Sequence, residues 1–313
     1  MTWARGVSIG IANQNSEDKK TLSSIAGLPC KDAARRPVAV MMPSDPETRP
    51  LSGIGSADLV IEMPVTPNGI TRMMAIFQCQ TPSEIGSIRS AREDFIPLAA
   101  GFNALYAHWG GEHGALKKLD NGILDNIDAM KYEGTTFYRK AGVPKPHNGF
   151  STLDLITDKA RELGYSITKD FGGYARLNDS ITVNLANVAN TITLDYQGYQ
   201  GRNKVAWAYD ASKKAYLRSR GLAPEIDKLT GKQIQASVVA VMHTSSHVLI
   251  EGDQYIVVNT IGQGTADIYQ QGTLTGGTWK KDPKRLDSPL KFYDSNGKEI
   301  RFTPGPIWIE IKI

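Results

Sequence analysis

The sequence is poor in cysteine. Of 313 residues only Cys30 and Cys79 are cysteines; they form no CxxC and no metal-ligand spacing. That argues against a structural zinc site, and a single disulfide and a pair of free thiols both stay open. Long apolar runs are missing as well, so no segment reads as a membrane-spanning helix. The first residues, MTWARGVSIG, have neither the basic region nor the apolar core of a secretory signal. The chain is therefore expected to be cytosolic, or an exported protein shorn of its export segment. Charge of one sign is scarce: 36 Lys and Arg stand against 32 Asp and Glu, a formal net charge of +4. The basic residues fall in short groups (DAARRP, KLTGK, TWKKDPKR) rather than along a stripe, which argues against nucleic acid as the partner. Walker A and HExxH are both absent. The GxG of NTIGQGTAD lacks the rest of a dinucleotide fingerprint and opens no helix.

What is present is an ordinary globular composition, 41% hydrophobic and 22% charged. Residues 1–21 are polar and read as a linker or arm. From RPVAVMM onward, β-rich runs (PVAVMM, ADLVIEM, ITRMMAIFQ, ALYAHW) alternate with helical candidates. One candidate follows Ser90, whose pairing with Glu93 fits a capping box. Pro97 there predicts a kink or a later start. Another is STLDLITDKARELGY, capped by Ser151 or Thr152, with Leu153, Ile156, Ala160 and Leu163 on one stripe and Gly164 as the stop. After about residue 175 nearly every segment is strand-like, among them ITVNL, KVAWAYD, QASVVAVM, EIRFT and IWIEIKI. The expected fold is α/β (α+β): a mixed α/β N-terminal domain over 22–175, then a β-rich C-terminal domain over 176–313.

Three groups of residues could carry chemistry. Arg72, Arg89 and Arg92 lie at strand or strand-to-helix positions, where guanidinium groups beside a helix start would bind phosphate or pyrophosphate. The plainer reading is that they pair with Glu62, Glu84, Glu93 or Asp94 and tie loops together. Asp58 and Glu62, four apart on an apparent strand, share a face and could hold a divalent cation; the alternative is a polar face paired with arginines. His108, Glu112, His113 and His147, in AHWGGEHG and KPHNGF, are candidates for lining a cleft. None of the histidines has a metalloprotease pattern.

The succession SSIAGLP, RRPVAVMM, TRPLSGIGSADLVIEM, GITRMMAIFQ, IGSIRSAR, ALYAHWGG and PHNGFST resembles the N-terminal unit of the YerB-like lipoprotein family. WAYDASKKAYLRSRG, DKLTGKQIQASVVAV and the stretch from GTWKK to IWIEI resemble its C-terminal unit. The likeness runs in family order from about residue 22 to the end. It implies a two-unit bacterial protein of unknown function. The layout would be extracytoplasmic, with a lipid anchor on an N-terminal segment that this chain does not carry. Arg72, Arg89 and Arg92 stand at positions matching the family. Where the family usually has an Asn-bearing pair after VAVMM this chain has Pro43 and Ser44, and it reads SAREDF where the family tends to SARPYF. A second similarity, in order and residue type, links SADLVIEM and IGSIRSAR to the LytR-CpsA-Psr phosphotransferases, which work on pyrophosphate with magnesium.

Three readings follow. The first is a protein that binds an anionic small molecule, an envelope polymer or a protein partner through an arginine-lined cleft, with no cofactor. The second is a phosphotransferase acting on polyprenyl-pyrophosphate-linked polymers, with Mg²⁺ on Asp58 and Glu62. The third is a scaffold whose contact surface includes Trp279 and Trp308.

Overall fold

The computed structural model describes residues 21–169, 171–177, 188–196, 204–249 and 255–313. The polar arm, Thr21 aside, and the strand expected at ITVNL lie outside the described residues.

Near-continuous apolar runs suit strands buried on both faces. β1 (Val38–Pro43), β2 (Leu59–Pro64) and β3 (Thr71–Phe77) are buried at every position. The short β4 (Ile85–Gly86) precedes α1 (Ile96–Gly101). This helix starts later than Ser90. Arg92 is still extended (φ −129°, ψ 146°), Glu93–Phe95 make one 3₁₀ turn, and Pro97 falls in the first α-helical turn, where its missing N–H costs nothing. No capping box forms at Ser90. β5 (Leu105–His108), α2 (His113–Asp120), β6 (Asn126–Asp128), α3 (Ala129–Tyr132), β7 (Tyr138–Arg139) and β8 (Gly149–Ser151) follow. α4 (Leu153–Glu162) forms where expected: Thr152 Oγ1 accepts from Leu155 N at 3.2 Å, and Gly164, at φ +76°, closes it.

Beyond these come β9 (Thr191–Leu194), β10 (Val205–Asp210), β11 (Ala215–Arg220), β12 (Ala223–Pro224), β13 (Gln235–Ala236), β14 (Val238–His243), β15 (Ser246–Val248) and β16 (Ile256–Val258). β17 (Gly262–Gln270), β18 (Thr273–Lys281), β19 (Lys291–Asp294) and β20 (Ile307–Lys312) complete the chain. The strand expected at EIRFT is instead two isolated bridges, Tyr293 with Glu299 and Arg176 with Phe302.

The mixed α/β first unit and the β-rich second unit share one ten-stranded sheet, in the order β19-β18-β17-β14-β20-β2-β3-β1-β5-β6. Its seam is the parallel pair β2–β20, which sets Glu62 directly opposite Glu310. Two-residue alternation sorts the side chains to two cores. Ala39, Met41, Ile61 and Ile309 pack on the face covered by α1. Val40, Val60, Met73 and Trp308 pack on the face covered by α4 and by the small sheet β12-β11-β10-β9. Trp279 and Trp308, expected as contact residues of a scaffold, are core residues at 1% and 2% exposure.

Cys30 and Cys79 form a disulfide with Cα atoms 5.5 Å apart, joining the loop before β1 to the segment after β3. Closing a loop of that length stabilises by about 4 kcal/mol on a chain-entropy account. Among the described residues no helix is long and apolar enough to cross a membrane.

Candidate functional site

In open α/β sheets ligands bind beyond the carboxyl ends of parallel strands. β1 and β5 are such a pair. Past their ends the segment 89–92 wedges in: Arg89 N donates to Met41 O (2.8 Å), Trp109 N to Arg89 O (3.0 Å) and Ala91 N to Gly110 O (2.9 Å). Arg72 enters from the start of β3, opposite Pro43 at the end of β1. Arg72 thus reaches the neighbouring Arg89 and Arg92 through sheet register, not along a helix surface. α1 adds little to it: the turn before it already carries Glu93 and Asp94.

Each guanidinium is held. Arg72 Nη1 donates to Asp45 Oδ2 (3.1 Å) and to Thr71 O (3.0 Å). Arg89 donates from Nη1 to Pro146 O (3.2 Å), and its Nη2 lies 2.9 Å from His147 Nδ1. Arg92 stacks on the Tyr255 ring, 4.2 Å from its centroid. Arg72 and Arg92 are buried and Arg89 is half-buried. The Nε atoms of all three are buried with no acceptor among the described residues. Among the described residues, Asp45 is the one carboxylate within 4.0 Å of any of them.

The electrostatics follow. Burial, opposed by Asp45 but reinforced by Arg92 and Arg89, lowers Arg72 to about 10. Burial also lowers Arg89, with Arg92 adding to it against Asp45. His147 is held below the ordinary imidazole value by burial and by Arg89, so as the neutral ring it accepts from that arginine. Beneath Arg92 lies Asp94, buried, with Oδ2 accepting from Val258 N at 3.0 Å. Burial raises its carboxyl to about 7, more than that hydrogen bond lowers it.

The other candidates separate. Glu112 caps α2 by accepting from Ala115 N (2.9 Å). With His113 it lines a groove that also includes Tyr255, adjoining the arginines. His108 does not line a cleft. It is fully buried, with Nδ1 2.8 Å from Gly110 O and Nε2 3.2 Å from Asn126 Oδ1, a core histidine held by its loops.

The carboxylate pair expected to hold a cation does not form. Asp58 accepts from the backbone of Gln78 (2.7 Å) and Cys79 (3.0 Å), pinning the disulfide-bearing segment. Glu62 is fully buried and takes its hydrogen bonds from Arg218, Arg220 and Thr71. A divalent ion on Glu62 would face two guanidinium groups, so these donors do not fit Mg²⁺.

Glu62 belongs instead to a network that sequence reasoning missed. Glu62 and Glu310 stand opposite each other across the seam, a like-charge contact that would destabilise the pair if left alone. Arg218, from β11 of the small sheet, binds both and also Glu225 (2.7 Å from Nε). Arg220 adds Glu62 (2.7 Å) and Glu225 (3.1 Å). Trp207 Nε1 donates to Glu310 at 2.9 Å, and Trp308 stacks on Arg218 at 4.1 Å. Nothing local in the sequence signals these pairs. Asp45 and Tyr255 were missed at the arginine site; only Asp45, in the loop just after β1, was findable from strand register.

Residues 25–166 match the family described as "Protein of unknown function (DUF3048) N-terminal domain", and residues 192–309 match its C-terminal domain. The chain is 32% identical over 296 residues to the Bacillus subtilis (strain 168) protein named "Putative lipoprotein YerB", covering 94% of this chain and 86% of that one. The crystal structure of YerB protein from Bacillus subtilis superposes with a TM-score of 0.84 at 29% identity, over 94% of this chain and 97% of that one.

Proposed function

Because the chain belongs to the DUF3048 family, carrying its N-terminal and C-terminal units in order, we propose that it is an extracytoplasmic lipoprotein that binds an anionic ligand between Arg72, Arg89 and Arg92. The name of its relative supports the lipoprotein part. So does the disulfide, since such bonds persist in oxidising compartments and are rare in a reducing cytosol.

The observation that carries the ligand part is the mismatch of charge. Among the described residues, three guanidinium groups meet with one carboxylate in ion-pair range, and three buried Nε–H groups lack acceptors. Leaving buried donors unmade costs about 1–3 kcal/mol each, and an anion relieves both deficits at once. The groups are also pre-oriented by Asp45, His147 and Tyr255, so little side-chain freedom remains to be lost on binding. A phosphate or pyrophosphate group matches the forked donors of arginine.

Calorimetric titration of pyrophosphate, with and without Mg²⁺, into the protein and into Arg89→Ala/Arg92→Ala tests this. Binding to the parent alone, indifferent to Mg²⁺, is the expected result. No heat from either protein sinks the anion site and leaves a protein partner as the alternative. A strict Mg²⁺ requirement would contradict the present account of Asp58 and Glu62.

A further inference from the structure

Away from the arginine cluster, a pocket of about 270 Å³ opens between the two units. One wall is the loop Arg49–Ile54 that follows β1. The other runs from Arg220 at the end of β11 to Ile226, with Ile234. The walls are tied across the units by Lys228 N donating to Leu51 O (2.8 Å) and Gly55 N to Asp227 Oδ2 (3.0 Å), so the cavity is formed before any ligand arrives. Leu51, Ile54 and Ile234 are buried there, and among the described residues no aromatic ring lines it. At about 30 Å³ per water-sized group it holds roughly nine such groups.

The polar residues are few and convergent. Arg49 is oriented by its Nε donating to Ser44 O at 3.0 Å. Arg220, nearly fully buried, keeps an Nη1 with no acceptor among the described residues. Glu225 is the one carboxylate in the lining, and both its oxygens already accept from Arg220, one of them from Arg218 as well. Burial and the charge of Arg220 hold Arg49 down to about 10, while Arg220 and Arg218, overriding burial, keep Glu225 at about 2. Glu225 therefore stays charged, and a second negative charge on a ligand would meet it.

We propose that this pocket binds a small aliphatic monocarboxylate, its chain against Leu51, Ile54, Ile226 and Ile234 and its carboxylate at Arg49 and Arg220. A branched apolar wall ending in guanidinium groups fits that chemistry. Bare phosphate would waste the apolar wall, and a dianion would be repelled by Glu225. The inference is independent of the arginine cluster formed by Arg72, Arg89 and Arg92.

Hexanoate serves as the probe, titrated by NMR against hexan-1-ol and inorganic phosphate. The expected order is hexanoate tighter than hexanol by about tenfold, with phosphate not competing for the pocket. Arg49→Gln should erase the advantage of hexanoate, Arg49→Lys should keep part of it, and Arg89→Ala/Arg92→Ala should leave it intact. Ala223→Trp, a change on the exposed rim that leaves the core alone, should block both ligands. The proposal fails if hexanoate does not bind or binds no tighter than hexanol. It also fails if affinity is unchanged in Arg49→Gln or in Ala223→Trp.

Discussion

Two arginine clusters lie in this molecule, both largely withdrawn from water and opposite in electrostatic character. Arg218 and Arg220 sit among Glu62, Glu225 and Glu310. Burial would lower them, but the glutamates outweigh it, so both stand above the ordinary guanidinium value. Arg72 and Arg89 share Asp45, and burial together with mutual repulsion wins, so both stand below it. Residue type is the same, and burial opposes the charge in both, although Arg89 is only half-buried. What sets the direction is the number of carboxylates supplied. Where the chain supplies enough, arginine closes a seam between two units; where it supplies one, the guanidinium charge is left largely uncompensated.

The largest effect should come from breaking the balanced cluster. Arg218→Met removes the charge between Glu62 and Glu310 while keeping much of the packing, and leaves buried carboxylates unmatched. A loss of about 3–5 kcal/mol is expected in denaturant unfolding. A loss below about 1 kcal/mol would mean that the seam does not depend on this network.

Asp94 sharpens the contrast from the acid side. Its folded-state value, about 7, lies above the ordinary carboxylate value. Its contribution to stability is therefore full below about pH 4 and is lost as pH rises through about 7. Asp94→Asn keeps an acceptor for Val258 N and cannot ionise. Its stability should rise relative to the parent as pH climbs from about 4 to above 7. Parallel pH profiles for the two proteins would refute the assignment.

Breaking the unbalanced cluster should barely matter to folding. Arg89→Gln is expected to change stability by less than about 1 kcal/mol, with relief of repulsion offsetting lost contacts. A loss as large as that of Arg218→Met would erase the distinction between the clusters. The smallest effect belongs to His147. Protonated, it would add a fourth cation, so sulfate affinity should rise severalfold as pH falls below about 6.5. The rise should vanish in His147→Gln; equal pH dependence in both proteins would place the titrating group elsewhere.

Much of the fold was legible in the sequence because its signals are local. VAVMM, LVIEM and TRMMAIF read as strands, and Thr152 and Gly164 bracket a helix. The seam was not legible. β2 and β20 pair from opposite ends of the chain, and an apolar run does not say which run it will lie beside. The same holds for the sites. Arg72, Arg89 and Arg92 stood out as cations near strand ends, and the resemblance in motif order pointed at the same three. Glu62 looked like half of a metal pair because its true partners lie more than 150 positions away. His108 looked like a cleft-lining residue in a glycine-rich motif, yet it ends a buried strand.

The central claim is that Arg72, Arg89 and Arg92 form an incomplete cluster that an anion completes. Melting temperature against pyrophosphate concentration, for the parent and for Arg89→Ala/Arg92→Ala, tests it most directly. At about a hundred times the dissociation constant the parent should gain about 2.7 kcal/mol, several degrees, while the double variant stays flat. Equal shifts in the two proteins, or none in either, would contradict the account.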